Sequence, residues 1–247
     1  MKVKSIAGKD LKTISLPKQF NEEVRRDLIK RAFNAVRSHR VQPKGVNPRA
    51  GMGHAVELSK RRRAYKGIMG TGRSRTPRKV MSHGGGMRFS YMGAQAPFTV
   101  GGRQAHPPKS WKIIAEKINK KERRKAIRSA ISASNILIIE DKFEKLSKTK
   151  EVIKALESNG LKIEPNKTLR KGVARLRGRG KRYSKGPLLI VADKCDLSNS
   201  GVNIPGVEVA RVNELNVKLL APGSVPGRTT IWTEGSIKKM SEEDLYL

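Results

Sequence analysis

Between Pro43 and Ser110 the chain carries fourteen cations and a single acid, and this stretch limits the possible folds more than any other. The cations are Lys44, Arg49, Lys60, Arg61, Arg62, Arg63, Lys66, Arg73, Arg75, Arg78, Lys79, Arg88, Arg103 and Lys109; the acid is Glu57. Twelve of the chain's 23 glycines and six of its 12 prolines lie there as well. A segment so charged and so poor in apolar residues cannot bury enough surface to offset its ordering entropy. It is expected to be an extended arm, ordered by a polyanion and standing apart from any globular core. Doubled back on itself, a chain of this length reaches at most about 110 Å.

A second basic stretch lies between Asn166 and Gly186. It holds Lys167, Arg170, Lys171, Arg175, Arg177, Arg179, Lys181, Arg182 and Lys185 with no acid, so the two segments together account for 22 of the 33 net positive charges. That concentration points to binding segments on a more ordinary scaffold, with nucleic acid as the partner and an anionic membrane surface as the weaker reading. Aromatic residues are only 4% of the chain, which argues against an array of stacking platforms and for phosphate and shape recognition. Arginine forks pair with phosphates, and Tyr65, Phe89, Tyr91 and Phe98, interleaved with cations and glycines, can stack on exposed bases.

The remainder reads as α/β. Asn135–Glu140 is a continuous apolar run suited to a buried strand, and Pro187–Ala192, Val207–Val212 and Thr229–Thr233 follow. A helix bearing Val152, Ile153 and Leu156, closed by Asn159-Gly160, and short helical pieces near 213–220 and 234–240 alternate with them. This order predicts a mostly parallel sheet flanked by helices. A short strand or two is expected in residues 2–16. Asn21 is expected to cap a helix running to about His39, with Glu22 and Glu23 in its first turn. After Pro108, Trp111, Ile114, Ala115 and Ile118 have one-face helical spacing, and Asn119-x-x-Glu122 resembles a capping box.

Several chemical readings fail on context. Gly67–Ser74 nearly fits a phosphate-binding P-loop, but an arginine run precedes it, Arg-Thr-Pro follows it, and Arg73 replaces the lysine. Gly51-Met-Gly53 and Gly84-Gly-Gly86 follow no apolar strand. His39, His54, His83 and His106 lack metal-ligand spacing, and Cys195, the only cysteine, sits among carboxylates that disfavour a thiolate. No apolar run approaches the roughly 18 residues of a membrane span. The expectation is a non-enzyme with no cofactor, no metal, no small-molecule substrate and no membrane, in the cytosol.

Three strings carry a family likeness: Tyr65–Arg75, Gly84–Phe89 and Gly101–Pro108. They resemble large ribosomal subunit protein four (the uL-four, or L-four/L-one-e, family), most specifically over residues 45–134, and the length and the Gly101–Pro108 string look archaeal. The resemblance implies a globular α/β domain, here 1–42 and 109–247, with an extended basic loop, 43–108, inserted in rRNA and 166–186 as a second insertion. It implies a structural role in the large subunit and its assembly. The partners are large-subunit (23S) rRNA, other large-subunit proteins and the nascent polypeptide, because the loop tip reaches the peptide exit tunnel. By match, the tip is Met69, Gly70, Thr71, Gly72, Arg73, Ser74 and Arg75. Met69 stands where bacterial members carry lysine, so a bacterial-style cationic contact does not carry over. The expected rRNA-binding residues are the fourteen cations of the loop region, Tyr65, and Arg170, Lys171, Arg175, Arg177, Arg179, Lys181 and Arg182. The rival reading is an RNA-binding regulator or RNA chaperone outside the ribosome.

Overall fold

The apolar runs become the centre of a six-stranded sheet. In this computed structural model every residue of the chain is described except 57, 87, 162 and 164–166, so Glu57, Met87 and Asn166, named above, lie outside the described residues. The chain divides into two units, residues 1–40 with 115–247, and residues 41–114.

In the larger unit the strands are β1 (Lys2–Lys4), β2 (Asp10–Thr13), β5 (Asn135–Ile139), β8 (Leu188–Val191), β9 (Glu208–Arg211) and β10 (Thr229–Thr233), in spatial order β2-β1-β5-β10-β8-β9. All neighbours run parallel except β2, which pairs antiparallel with β1 at one edge. The last strand of the chain is thus inserted between β5 and β8. Side chains alternate across the sheet with period two. Ile138, Leu188, Ile190 and Trp232 point into one core, and Ile139, Leu189, Val191 and Ile231 into the other. Both faces are covered, which is why β5 and β8 read as nearly uninterrupted apolar runs, while β10 also buries the β-branched Thr230 and Thr233.

The first face is covered by α1 (Arg26–Ser38), α2 (Lys120–Ser132), α6 (Val217–Leu220) and α7 (Glu234–Glu242). Ala32, Ala126 and Ala130 are fully buried there, small side chains suited to the close packing of α1 on α2. Phe20 meets Trp232 edge-on at 4.8 Å between ring centres. The second face is covered by α3 (Thr149–Ser158) and α5 (Leu197–Ser200). Among the described residues, no helix is long and apolar enough to cross a membrane.

Two helix starts differ from the sequence reading. The first helix begins at Arg26, not beside Asn21, because the preceding residues are engaged by α2. Ser129 Oγ accepts from the Arg25 amide at 2.6 Å, and Glu22 accepts from Arg128 Nε at 2.7 Å. The second begins at Lys120 with Asn119 as its N-cap residue, where the Asn119-x-x-Glu122 pattern placed a helix start, and does not extend back to Trp111. Trp111–Ile118 is irregular, Trp111 and Ile113 are exposed, and Glu122 pairs with Arg31 of α1 at 3.0 Å in place of closing a capping box.

The basic stretches also contain strands that alternation did not reveal. In residues 41–114, β3 (Arg78–His83) and β4 (Phe89–Gly93) form an antiparallel hairpin with a register shift after Val80. In the second stretch, β6 (Lys167–Leu169) pairs with β7 (Lys181–Tyr183) around the single turn of α4 (Val173–Leu176). Neither hairpin has a buried face at its tip, so neither leaves an apolar rhythm in the sequence.

Candidate nucleic-acid interface

The unit of residues 41–114 is ordered mainly by backbone. Among its described residues the buried hydrophobic ones are Ile68, Ala94 and Ala96, far too few for a core. The outgoing and returning chains instead touch closely: the Val46 amide donates to the Pro108 carbonyl at 3.3 Å, and Gln95 Nε2 donates to the His54 carbonyl at 2.8 Å. Gly51, at φ +77°, lies so near Gly102 that a Cβ would come within 2.5 Å of its carbonyl. A side chain on Gly102 would in turn fall 2.0 Å from the Ala96 carbonyl. Glycine is required at both positions by close approach.

Farther along, rings organise the hairpin. His83 stacks on its cross-strand partner Phe89 at 4.5 Å and 15°, and Tyr65 meets Phe89 edge-on at 5.3 Å. The Arg73 guanidinium lies 5.7 Å from the Tyr91 ring centre, and Arg78 Nη2 donates to Ser74 Oγ at 2.8 Å. These contacts hold the Gly70–Arg75 bend beside the hairpin. Gly70 (φ +87°) and Gly72 (φ +73°) lie in its exposed part, with nothing near the place of a Cβ. Residues 64–77 form turns and open chain, with no strand before and no helix after Gly67–Ser74, so the phosphate-loop geometry is not built.

The expected binding cations lie at the surface. Lys44, Arg49, Lys60, Arg61, Arg62, Arg63, Arg73, Arg75, Arg88, Arg103 and Lys109 are exposed, and Lys66, Arg78 and Lys79 are half-buried. In the second stretch, Arg170, Lys171, Arg175, Arg177, Arg179, Lys181 and Arg182 are all exposed. Among the described residues none of these cations is in an ion pair. Every ion pair among the described residues lies in the larger unit, and of the described part of the second stretch only Lys185 takes part. Unpaired exposed cations keep their charge for an external polyanion.

One buried cation escaped the sequence reading. The Arg228 side chain is 3% exposed, and its guanidinium donates to the Gly186 and Leu219 carbonyls at 2.8 and 2.6 Å and to Glu208 at 2.6 Å. Lys185 reaches the other oxygen of Glu208. Burial alone would push the Glu208 carboxyl up, but the hydrogen bonds from Lys185 and Arg228 outweigh it and hold the group below its ordinary range. Arg228 thus ties the end of the second basic stretch to the sheet.

The crevice beyond the carboxyl ends of the parallel strands is where α/β sheets commonly take ligands. Here a cavity of about 390 Å³ is lined by Asp141, Glu144, Lys145, Cys195, Asp196 and Gly235, and two of its carboxylates are held by the chain itself. Glu144 accepts from Thr233 Oγ1 at 2.6 Å and from the Ala192 amide at 3.1 Å, and Asp141 accepts from the Gly235 amide at 2.6 Å.

A scaffold of this kind with two unpaired cationic segments has known relatives. Residues 14–243 match the model of the ribosomal protein L4/L1 family. The chain belongs to that family. It is 41% identical to the large ribosomal subunit protein uL4 of Nanoarchaeum equitans, over 94% of each chain. It is 38% identical to that of Methanocaldococcus jannaschii over 97% of each, and 35% identical to that of Archaeoglobus fulgidus over 98% of each. Family membership therefore spans the scaffold and both basic stretches alike.

Proposed function

We propose that this chain is a structural, non-catalytic constituent of the large ribosomal subunit that binds large-subunit rRNA through two cationic segments. The observation that carries the reading is the exposed, unpaired charge of residues 44–109 and 170–182 in a member of this family. Each such side chain can replace a condensed counterion on a phosphate, which gives affinity without base preference. Residues 43–108 act as a loop threading the RNA, and 166–186 as a second contact. The bend Met69–Arg75 contributes to the wall of the exit tunnel and meets the nascent chain. Its support is the motif match and the open backbone at Gly70 and Gly72. Other large-subunit proteins are further partners. The non-catalytic reading is supported by the family match and by Asp141 and Glu144 at the strand ends, whose carboxylates are engaged by backbone amides and the Thr233 hydroxyl.

Sedimentation of a cell lysate at high salt tests this. The expected outcome is about one copy per large subunit, retained through the wash. Release at a few hundred millimolar salt, or a distribution unrelated to large subunits, would overturn it.

A further inference from the structure

The base of the 41–114 unit holds a half-open cleft of about 860 Å³, within the range of ligand sites. Its walls are the close-packed turns at Val46–Met52 and Gly101–Pro107, and its rim carries Arg103, His106, Lys109, Trp111 and Lys112 with no acid among the lining residues. Trp111 is the unusual member. It is one of only two tryptophans, and it is 67% exposed, whereas Trp232 is fully buried. Lys109 Nζ sits 5.5 Å from the Trp111 ring centre. An indole left in water gains nothing from folding and is most useful to a flat apolar partner.

We infer that this cleft seats an unstacked nucleobase of the bound RNA on Trp111, with Lys109, Lys112 and Arg103 holding the flanking phosphates. The inference rests on the rRNA-binding reading above and adds a base contact to it. Charge selects the occupant: three exposed cations without a carboxylate fit a polyanion, and the exposed ring fits the π-face that every base presents. Gln104, also lining the cleft and exposed, offers both a donor and an acceptor to a base edge. The walls are preformed, since Gly51 against Gly102 and Val46 against Pro108 fix them by backbone contact.

The test uses the full chain and deproteinised large-subunit rRNA, with binding measured across a salt series. Trp111→Ala is expected to weaken binding about 5- to 150-fold, the range for loss of one stacked base, at an unchanged salt slope. Trp111→Phe is expected to recover part of the loss and Trp111→Leu little of it. RNA is also expected to quench the parent's emission and not that of Trp111→Ala, in which only buried Trp232 remains. Because Trp111 is exposed, each variant is expected to melt like the parent, which separates lost contact from lost fold. If the parent binds with a steep salt slope and Trp111→Ala binds equally well, the base seat is overturned and the rRNA reading stands. If the parent itself does not bind, both are overturned.

Discussion

The larger unit and the 41–114 unit treat the same residue types in opposite ways. In the larger unit, Trp232 is fully enclosed against Phe20, and Arg228 is enclosed against Glu208 and the carbonyls of Gly186, Pro187 and Leu219. In 41–114, Trp111 and Phe98 face solvent, and no cation meets a carboxylate among the described residues. One region uses aromatic area and ion pairs for its own stability. The other leaves both outside, ordered by glycine contacts and a short hairpin, so that its rings and cations remain exposed. Stability and binding are thus written in the same alphabet but in separate places.

Matched substitutions can break that contrast. The largest expected effect is on the aromatic pair. Trp232→Ala should destabilise the fold by about 3–5 kcal/mol, the cost of emptying a large buried site, while Phe98→Ala should stay within about 0.5 kcal/mol. Urea unfolding of both measures this, and a comparable loss in Phe98→Ala would mean that 41–114 has a core of its own.

Next comes the buried cation. Arg228→Ala should cost about 3 kcal/mol, because Glu208 and three carbonyls lose their partner. It should also alter the acid limb. In the folded protein Glu208 sits below its ordinary value of 4.5, so its contribution is present above that pH and fades as the pH falls through the lower, folded value. Lys12 and Lys238 depress Glu234 in the same direction, the Lys12 hydrogen bond being the larger cause. Without Arg228 the Glu208 part of that acid limb should shrink. Melting curves across an acid pH series check it, and an unchanged limb would deny Arg228 that role.

The smallest effect is expected for a single loop cation. Arg62→Gln should leave stability within about 0.5 kcal/mol and reduce the magnitude of the logarithmic salt slope of rRNA binding by about 0.7–0.9. A change in stability with no change in slope would reverse the roles of the two regions.

Much of this was legible from residues alone. The runs at 135–140, 187–192 and 229–233 became β5, β8 and β10 within a residue or so, because a strand covered on both faces is filled mainly by apolar and β-branched residues. The concentration of cations in two acid-poor segments was equally plain, since charge balance is a property of composition. Family likeness came from the same strings.

Only the tertiary structure decided who meets whom. Placing β10 between β5 and β8 depends on contacts across more than forty residues, and local periodicity reports which face is apolar without naming its partner. The same reason moved the start of α1 to Arg26, where Ser129 and Arg128 claim the residues that local rules had assigned to a cap. It left Trp111 exposed despite its helical spacing, formed the β3–β4 hairpin from cross-strand rings, and buried Arg228 among carbonyls supplied by Gly186 and Leu219. The sequence by itself determined which stretches could be buried and which carried the charge. Their partners, and so the geometry of the surface left for RNA, were set by long-range packing, in which each group's energy depends on neighbours far away along the chain.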